Sequence, residues 1–296
     1  MALDELITEA RAERPDYDLS STAELVALMN QEDETVAGAV GAIAAELAQA
    51  IDAVVDRLRG GGRLVYVGAG SSGLIAALDA GECEATFSTE PGQVVALVAG
   101  AGLASAAARE AAEDDAESGR RAIEELGVSE RDAVVGVSAS GRTPYVVAAI
   151  EVAAAAGALT LAVVAVQDSA LASLVEHELA AVVGPEFVAG STRLKAGTAQ
   201  KLVLNTISTV AMIRLGKTYG DLMVDVRTSN EKLAARAKRV VQAATGVSAA
   251  EAEAALDEAD GSAKVAIVAL LARVDATEAR DRLEGAGGVI RSAVER

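Results

Sequence analysis

Two loops rich in glycine and serine, each directly after a short apolar run, carry the side chains best suited to chemistry. Residues 64 to 73 read LVYVGAGSSG, and residues 133 to 143 read AVVGVSASGRT. Each apolar run predicts a buried strand, and the following helix directs free backbone N–H groups and its positive dipole end at the loop. Glycine admits a ligand close to the backbone, and hydroxyl groups donate hydrogen bonds. The pattern favours the phosphate of a small molecule, with these candidate ligands: Gly70, Ser71, Ser72, Ser138, Ser140, Gly141, Arg142 and Thr143.

A dinucleotide site is the first alternative, because Gly68, Gly70 and Gly73 form a G-x-G-x-x-G motif. Such a site needs an acidic residue about 20 positions further on, at the end of the second strand, to hold the ribose. The next predicted strand instead ends in Ala99 and Gly100, which disfavours a dinucleotide. A glycine turn that only packs the helix on the strand remains a second alternative.

Alternation of strands with helices predicts an α/β fold with a doubly wound, parallel, five-stranded sheet. The predicted strands lie near residues 63 to 67, 93 to 98, 132 to 138, 159 to 166 and 179 to 183, with alanine-rich helical stretches between them. In such sheets ligands bind beyond the carboxyl ends of the strands, where both loops fall.

The remaining segments predict a chain of three parts. Residues 1 to 20 form an extended polar arm, and residues 21 to 244 form the sheet domain. This domain includes a helix from 21 to about 59, capped by Ser21 or Thr22 with Glu24 close behind, and a helix from about 198 to 215. Residues 245 to 296 carry three helical patterns and form a small C-terminal helical subdomain.

A third polar turn precedes the helix at 198. Ser191 and Thr192 are good helix-start residues, and Arg193 and Lys195 are cations close to the predicted site. We expect Ser191 and Lys195 to contact the ligand. Helix capping and ordinary surface charge explain the same residues equally well, so this alternative stays open.

Composition excludes several classes of partner. The 296 residues carry a formal charge of −18, with 2% aromatic residues and no tryptophan, which disfavours nucleic acid and anionic membranes. Salt screens this charge within about 8 Å, so a loop can still bind phosphate locally. A single cysteine, Cys83, and the lack of a Cys/His cluster predict a cytoplasmic protein without a metal or other cofactor.

Longer motifs carry a family resemblance along nearly the whole chain. They are VYVGAGSSG, LDAGECEATF, AAEDDAESG, VGVSASGRTPYV, VGPEFVAGSTRLKAGTAQKLVLN and LGKTYGDLMVDVRTSNEKL. With these motifs the chain resembles the N-acetylmuramic acid 6-phosphate etherases of the sugar isomerase (SIS) fold class. The resemblance implies an α-β-α sandwich, and a lyase that yields N-acetylglucosamine 6-phosphate and D-lactate in the recycling of peptidoglycan sugars.

The same resemblance implies Glu82 and Glu113 as the acid/base pair, without assigning either to the ether or to the carbon proton. A carboxylate held among apolar groups such as Leu78, Cys83 and Phe87 would have a raised pKa and could serve either role. On residues alone, Glu113 lies in an acidic run typical of a solvated helix face.

The chain departs from the family pattern at two places near the predicted site. Leu74 replaces the usual arginine, and Glu84 with Ala85 replaces a Pro-Pro pair. Loss of a cation and gain of an acid should weaken the binding of an anion unless another cation compensates. The candidates for compensation are Arg142, Arg193 and Lys195.

Two alternative functions have to be considered, and the sequence also predicts a quaternary structure. An aldose–ketose phosphosugar isomerase of this fold often uses histidine, but the single His177 is expected to be a surface or packing residue before the last strand. A non-catalytic phosphosugar-binding regulator is the other rival. The apolar helices at 21 to 59 and 198 to 215 exceed what one sheet face needs, which predicts a homodimer.

Overall fold

The computed structural model of the chain describes residues 7 to 12, 16 to 225 and 231 to 295. The chain divides into two compact units. The first consists of Met1–Gly81 and Gly92–Ile207, and the second of Glu82–Pro91 and Ser208–Arg296.

The first unit is built on the predicted parallel sheet of five strands. Its strands are β1 (Leu64–Gly68), β2 (Val94–Val98), β3 (Ala133–Val137), β4 (Leu159–Val164) and β5 (His177–Ala180), in the order β2-β1-β3-β4-β5. The central strands β1, β3 and β4 are buried along their whole length, as their continuous apolar runs require. Gly68, the last residue of β1, pairs with Val98 and Val137, so the loops after these strands begin side by side. The predicted α/β class is confirmed.

Seven helices accompany this sheet in the described chain. They are α1 (Thr22–Ala42), α2 (Ala44–Arg59), α3 (Gly70–Phe87), α4 (Ala106–Glu113), α5 (Ala116–Leu126), α6 (Pro144–Ala155) and α7 (Lys195–Arg214). α3 and α7 each continue from the first unit into the second. β5 begins at His177, which pairs with Leu161, so the prediction that this histidine precedes the strand was wrong.

The N-terminal prediction of a single helix from 21 to 59 was also wrong. The start is confirmed: Glu24 N donates to Ser21 Oγ at 3.3 Å, and Ser21 N donates to Glu24 Oε2 at 2.8 Å. At Ile43, however, the backbone leaves the helical region at φ −104° and ψ 19°, and α1 and α2 are bent by 60°. The Ile43 N–H donates to the carbonyl of Val40 instead of the residue four positions back.

The predicted arm is only partly described, because residues 1 to 6 and 13 to 15 lie outside the described residues. The rest is not simply extended. Thr8 is buried and accepts a hydrogen bond from the Gly190 N–H at 3.2 Å, and Tyr17–Leu19 form a 3-10 helix. Tyr17 also makes an edge contact with Phe187, with the ring centroids 5.2 Å apart.

The second unit is mainly helical. It contains the short antiparallel strands β6 (Thr218–Tyr219) and β7 (Leu222–Met223), followed by α8 (Glu231–Thr245), α9 (Ala249–Glu258), α10 (Ala263–Ala272), α11 (Ala276–Gly285) and α12 (Ile290–Val294). The three helical patterns correspond to α9, α10 and α11, and α12 was not predicted. Buried residues of α8 such as Val241 share one core with Ile267 of α10. A domain boundary at 245 therefore stays a prediction.

Candidate active site

The loop between β1 and α3 combines tight packing with one open position. A Cβ on Gly68 would lie 2.8 Å from Gly73 Cα, and a Cβ on Gly73 would lie 2.7 Å from Val98 Cγ1. These two glycines therefore pack the helix onto the sheet, as one alternative interpretation of the motif holds. Gly70 differs, because it adopts the left-handed conformation at φ +52° and faces a carboxylate.

That carboxylate belongs to Glu113, the last residue of α4. A Cβ on Gly70 would lie only 2.6 Å from Glu113 Oε1, so the absence of a side chain at Gly70 makes room for the acid. Burial, and after it the negative charges of Asp114 and Glu110, raise the pKa of Glu113. Glu113 is thus half-buried at the first Ser/Gly loop, and a carboxylate with a raised pKa suits proton transfer near neutral pH.

The two serines of this loop differ in their surroundings. Ser71 is exposed at the start of α3, where the free N–H groups of the helix lie. Ser72 is half-buried, and its hydroxyl donates to Gln200 Oε1 of α7 at 2.9 Å. The sequence alone did not single out Gln200, although it lies in the long GSTRLKAGTAQKLVLN motif.

The second Ser/Gly loop, between β3 and α6, is held together by its own hydroxyls. Ser138 Oγ lies 2.9 Å from Thr143 Oγ1, and the Gly141 N–H donates to Ser138 Oγ at 3.1 Å. Gly141 has a φ of +63°, and a Cβ there would lie 2.4 Å from the Cβ of Ser169. Ser169 in turn donates to Glu178 Oε1 at 2.9 Å. The loop after β4 thereby supports the loop after β3.

An open cleft of about 420 Å³ lies at this second loop. Two of the predicted ligand residues, Ser140 and Arg142, line it. The segment after β4 forms its other wall, with these lining residues: Val166, Gln167, Asp168, Ser169 and Ala170. The cleft therefore lies at the carboxyl ends of β3 and β4, where a doubly wound sheet binds its ligand.

The turn before α7 differs from its prediction. α7 begins at Lys195, and the fully buried Glu186 caps it by accepting from Lys195 N at 2.9 Å and Ala196 N at 3.0 Å. Ser191 and Thr192, predicted as helix-start residues, lie between Glu186 and the start of α7 and are half-buried in the turn. A carboxylate at a helix N-terminus is stabilised by the helix dipole, which explains the choice of glutamate.

Lys195 is engaged by an acid of α1. Its Nζ lies 2.6 Å from Glu32 Oε2, and the lysine side chain is only 4% exposed. The sequence predicted a cation open to the ligand, but this charge is already balanced within the protein. Arg193 is exposed, and Arg142 is the cation on the cleft.

Glu82 occupies a different setting from the one expected. It is exposed on α3, and Leu78 beside it is 61% exposed, whereas Cys83 and Phe87 are buried. The prediction of a carboxylate held among these three apolar side chains was therefore wrong for Glu82 in the single chain. Glu82 belongs to the second compact unit and Glu113 to the first.

A buried polar network anchors the helix that carries these loop residues. Asp79 of α3 is 5% exposed and accepts from Tyr66 Oη at 2.8 Å and from Asn205 Nδ2 at 2.5 Å. β1, α3 and α7 are thereby joined through one carboxylate. A buried carboxylate needs such donors, because burial without them is strongly unfavourable.

Metal ligands and membrane-spanning helices are the two remaining features of interest. No group of three or more His, Cys, Asp or Glu side chains in the described parts of the chain is arranged to hold a metal ion. Among the same residues no single helix is long and apolar enough to cross a membrane, and the bent pair α1 and α2 meets that criterion only by length and composition.

Comparison with known proteins identifies relatives over the full length. The family model described as "Glucokinase regulatory protein N-terminal SIS domain" matches residues 46–154, and the one described as "SIS domain" matches 124–209. An N-acetylmuramic acid 6-phosphate etherase of Rubrobacter xylanophilus is 55% identical, covering 99% of this chain and 97% of its own. The etherase of Streptomyces coelicolor is 53% identical, covering 99% and 94%.

Solved structures extend the likeness of the fold. A phosphoheptose isomerase from Francisella tularensis superposes with a TM-score of 0.52 at 19% identity, covering 66% of this chain and 99% of its own. At this identity the likeness concerns the fold alone.

Proposed function

Because this chain belongs to the N-acetylmuramic acid 6-phosphate etherase family, we propose that it cleaves the D-lactyl ether of N-acetylmuramic acid 6-phosphate. The products are N-acetylglucosamine 6-phosphate and D-lactate. The observation that carries the proposal is 55% identity over 99% of the chain to an etherase, across both compact units. The protein is a carbon–oxygen lyase.

The reaction needs proton transfer at carbon and at oxygen. The sugar ring opens, a base removes the proton from the carbon next to the aldehyde, and an acid assists departure of the lactate oxygen before water adds back. Glu113 is suited to one of these transfers, since its carboxyl is half-buried with a raised pKa. Glu82 is the second member of the pair, and the two steps are not divided between them.

Burial of Glu82 would come from a second copy of the chain. Leu74, Leu78 and Glu82 are spaced four residues apart on α3, so they share one face of the helix. The two leucines are 68% and 61% exposed, and large exposed apolar side chains usually meet a partner. A homodimer that covers this face would remove Glu82 from water.

The homodimer was predicted from apolar helices, and these helices differ in how much exposed apolar surface they offer to a partner. Apolar residues of α7 such as Val203, Leu204 and Ile207 are fully buried within the chain itself, whereas Ile213 near its end is 45% exposed, so this helix offers little excess. On α1, Val26 is exposed and remains available to a partner. The exposed face of α3 now supports the homodimer instead.

The phosphate is proposed to lie at the carboxyl edge of the sheet. Its proposed ligands are Gly70 and Ser71 of the first loop, and Ser140 and Arg142, which line the cleft at the second loop. The other predicted ligands are Ser72, Ser138, Gly141, Thr143, Ser191 and Lys195. Lys195 can contact the phosphate only if it shares its charge with Glu32 or gives up that ion pair. A charged phosphosugar does not cross a membrane unaided, so we place the reaction in the cytoplasm.

Release of D-lactate tests the proposal. The purified protein is incubated with N-acetylmuramic acid 6-phosphate, and D-lactate is measured with a D-specific lactate dehydrogenase. If the protein is an etherase, it should release one D-lactate for each N-acetylglucosamine 6-phosphate that it forms. A phosphosugar regulator, suggested by the match of residues 46–154, would bind without turnover, and an isomerase would convert the sugar without lactate.

A further inference from the structure

Gln200 is a buried residue of α7 with an unused hydrogen-bond donor. The residue is 3% exposed, and its Nε2 has no hydrogen-bond partner. Its Oε1 accepts from Ser72 Oγ at 2.9 Å, directly behind the first Ser/Gly loop. Buried amide donors are almost always satisfied, so an unpaired one calls for an explanation.

The helix around Gln200 is held in a fixed position. Glu186 caps its first turn, and a Cβ on Gly197 would lie 3.4 Å from Ile75 Cδ1 of α3. Asn205, five residues further on, donates to the buried Asp79 of α3. The Gln200 side chain therefore stays next to Ser72, and only its terminal amide is free to turn.

The direction of this hydrogen bond conflicts with a phosphate-binding role for Ser72. A serine hydroxyl has one proton, and here that proton points to Gln200 Oε1. A phosphate oxygen accepts hydrogen bonds and cannot donate one when it is fully ionised. Ser72 can therefore donate to phosphate only if it gives up its bond to Gln200 Oε1, and reversal of that bond keeps the two side chains paired.

We propose that Gln200 is a positioning residue that reverses its hydrogen bond to Ser72 when the phosphate of the substrate binds. A half-turn of the amide brings Nε2 to Ser72 Oγ, where it donates to a lone pair. The Ser72 proton is then released to a phosphate oxygen. The exchange gives the unpaired donor a partner and leaves a carbonyl oxygen unpaired, which proteins tolerate better than an unpaired N–H. This inference rests on the proposed function.

Two substitutions distinguish the direction of the Ser72–Gln200 hydrogen bond from the packing of the Gln200 side chain. Gln200→Glu retains an acceptor but has no donor when ionised, so it holds the Ser72 proton and also adds a negative charge. Gln200→Met has a similar volume and no hydrogen bond, so it leaves the hydroxyl free to turn. We expect Gln200→Glu to weaken the binding of N-acetylglucosamine 6-phosphate by about tenfold or more, the range of about one charge-assisted hydrogen bond. Gln200→Met should lose less of this affinity than Gln200→Glu.

Calorimetric titration with N-acetylglucosamine 6-phosphate across pH is the test, with Gln200→Met as the control for titration of the phosphate itself. Protonation of the introduced Glu carboxyl gives it a donor for Ser72, so affinity relative to Gln200→Met should recover as pH falls. In a Ser72→Ala background, Gln200→Met should have no further effect. The effect should fall on KM more than on kcat.

Two results would overturn the inference, and they are distinguishable. If the unsubstituted protein binds the sugar phosphate and releases lactate, but the Gln200 and Ser72 effects are additive and the pH recovery is absent, Gln200 has only a packing role. If the unsubstituted protein does not bind the sugar phosphate at all, the proposed function fails and the inference fails with it.

Discussion

Replacement of Gly70 by alanine tests directly whether the position of Glu113 matters. A Cβ at Gly70 would lie 2.6 Å from Glu113 Oε1, whereas ordinary contact begins at 3.4 Å. The carboxylate must therefore withdraw by about 0.8 Å, the difference between these distances, and it can do so because it ends a flexible side chain. Misplacement of a reacting group by about 1 Å can lower the rate about 100-fold.

The same substitution also lowers stability through backbone strain, and a control variant measures that effect separately. Gly70 has φ +52°, and alanine in this left-handed region costs about 1–2 kcal/mol. Gly61 has φ +77° with nothing within 4 Å of a Cβ added there, so Gly61→Ala has the backbone cost without the contact. Denaturant unfolding should show similar losses of stability for both variants. Lactate release should fall about 100-fold only in Gly70→Ala.

Because Gly70 is also a predicted phosphate ligand, affinity for N-acetylglucosamine 6-phosphate must be measured alongside turnover. A fall in kcat with largely retained affinity would locate the defect at Glu113. Full turnover by Gly70→Ala would refute the reasoning that the carboxylate acts from its position over this glycine.

Three further predictions concern other residues. Glu82→Gln and Glu113→Gln should each lower turnover by about 100-fold or more with phosphosugar binding retained, while the exposed Glu117→Gln serves as a control; near-normal lactate release would remove that glutamate from the mechanism. Burial alone would raise the pKa of Asp132, but hydrogen bonds from the Arg63 side chain and from the backbone outweigh it and lower the pKa to about 2. Asp132→Asn should therefore cost about 2 kcal/mol in urea unfolding at neutral pH, a loss that is complete above about pH 4 and disappears as pH falls towards about 2; a pH-independent difference would contradict it. If the proposed homodimer forms through the exposed face of α3, Leu78→Asp should lower the mass in light scattering from that of a dimer to that of a monomer, and an unchanged dimer mass would place the interface elsewhere.

The sheet and its two loops could be predicted because their signals are local. Strands β1 to β4 are short runs of mainly aliphatic residues, and each of the two loops follows its strand directly in the chain, whereas β5 begins with His177 and Glu178 and its start was misplaced. The order of the strands follows from the general rules of doubly wound sheets. The capping box of Ser21 and Glu24 was predictable for the same reason, since both partners lie within one turn.

The surroundings of the site could not be predicted because they depend on residues far apart in the chain. Lys195 and Glu32 form an ion pair although 163 positions separate them. The contact of Ser72 with Gln200 is likewise between distant segments. The acidic run around Glu113 is typical of a solvated helix face, and only the folded chain reveals that this glutamate lies over a glycine loop.

The central claim is that this chain breaks the sugar-side carbon–oxygen bond of a lactyl ether by elimination and addition of water. Incubation of the protein with N-acetylmuramic acid 6-phosphate in heavy water enriched in oxygen-18, followed by mass spectrometry and a D-lactate assay, tests it most directly. We expect D-lactate that retains the ether oxygen, and N-acetylglucosamine 6-phosphate that carries one solvent deuterium on the carbon next to the aldehyde. An unchanged substrate, or a sugar product without released lactate, would contradict the account.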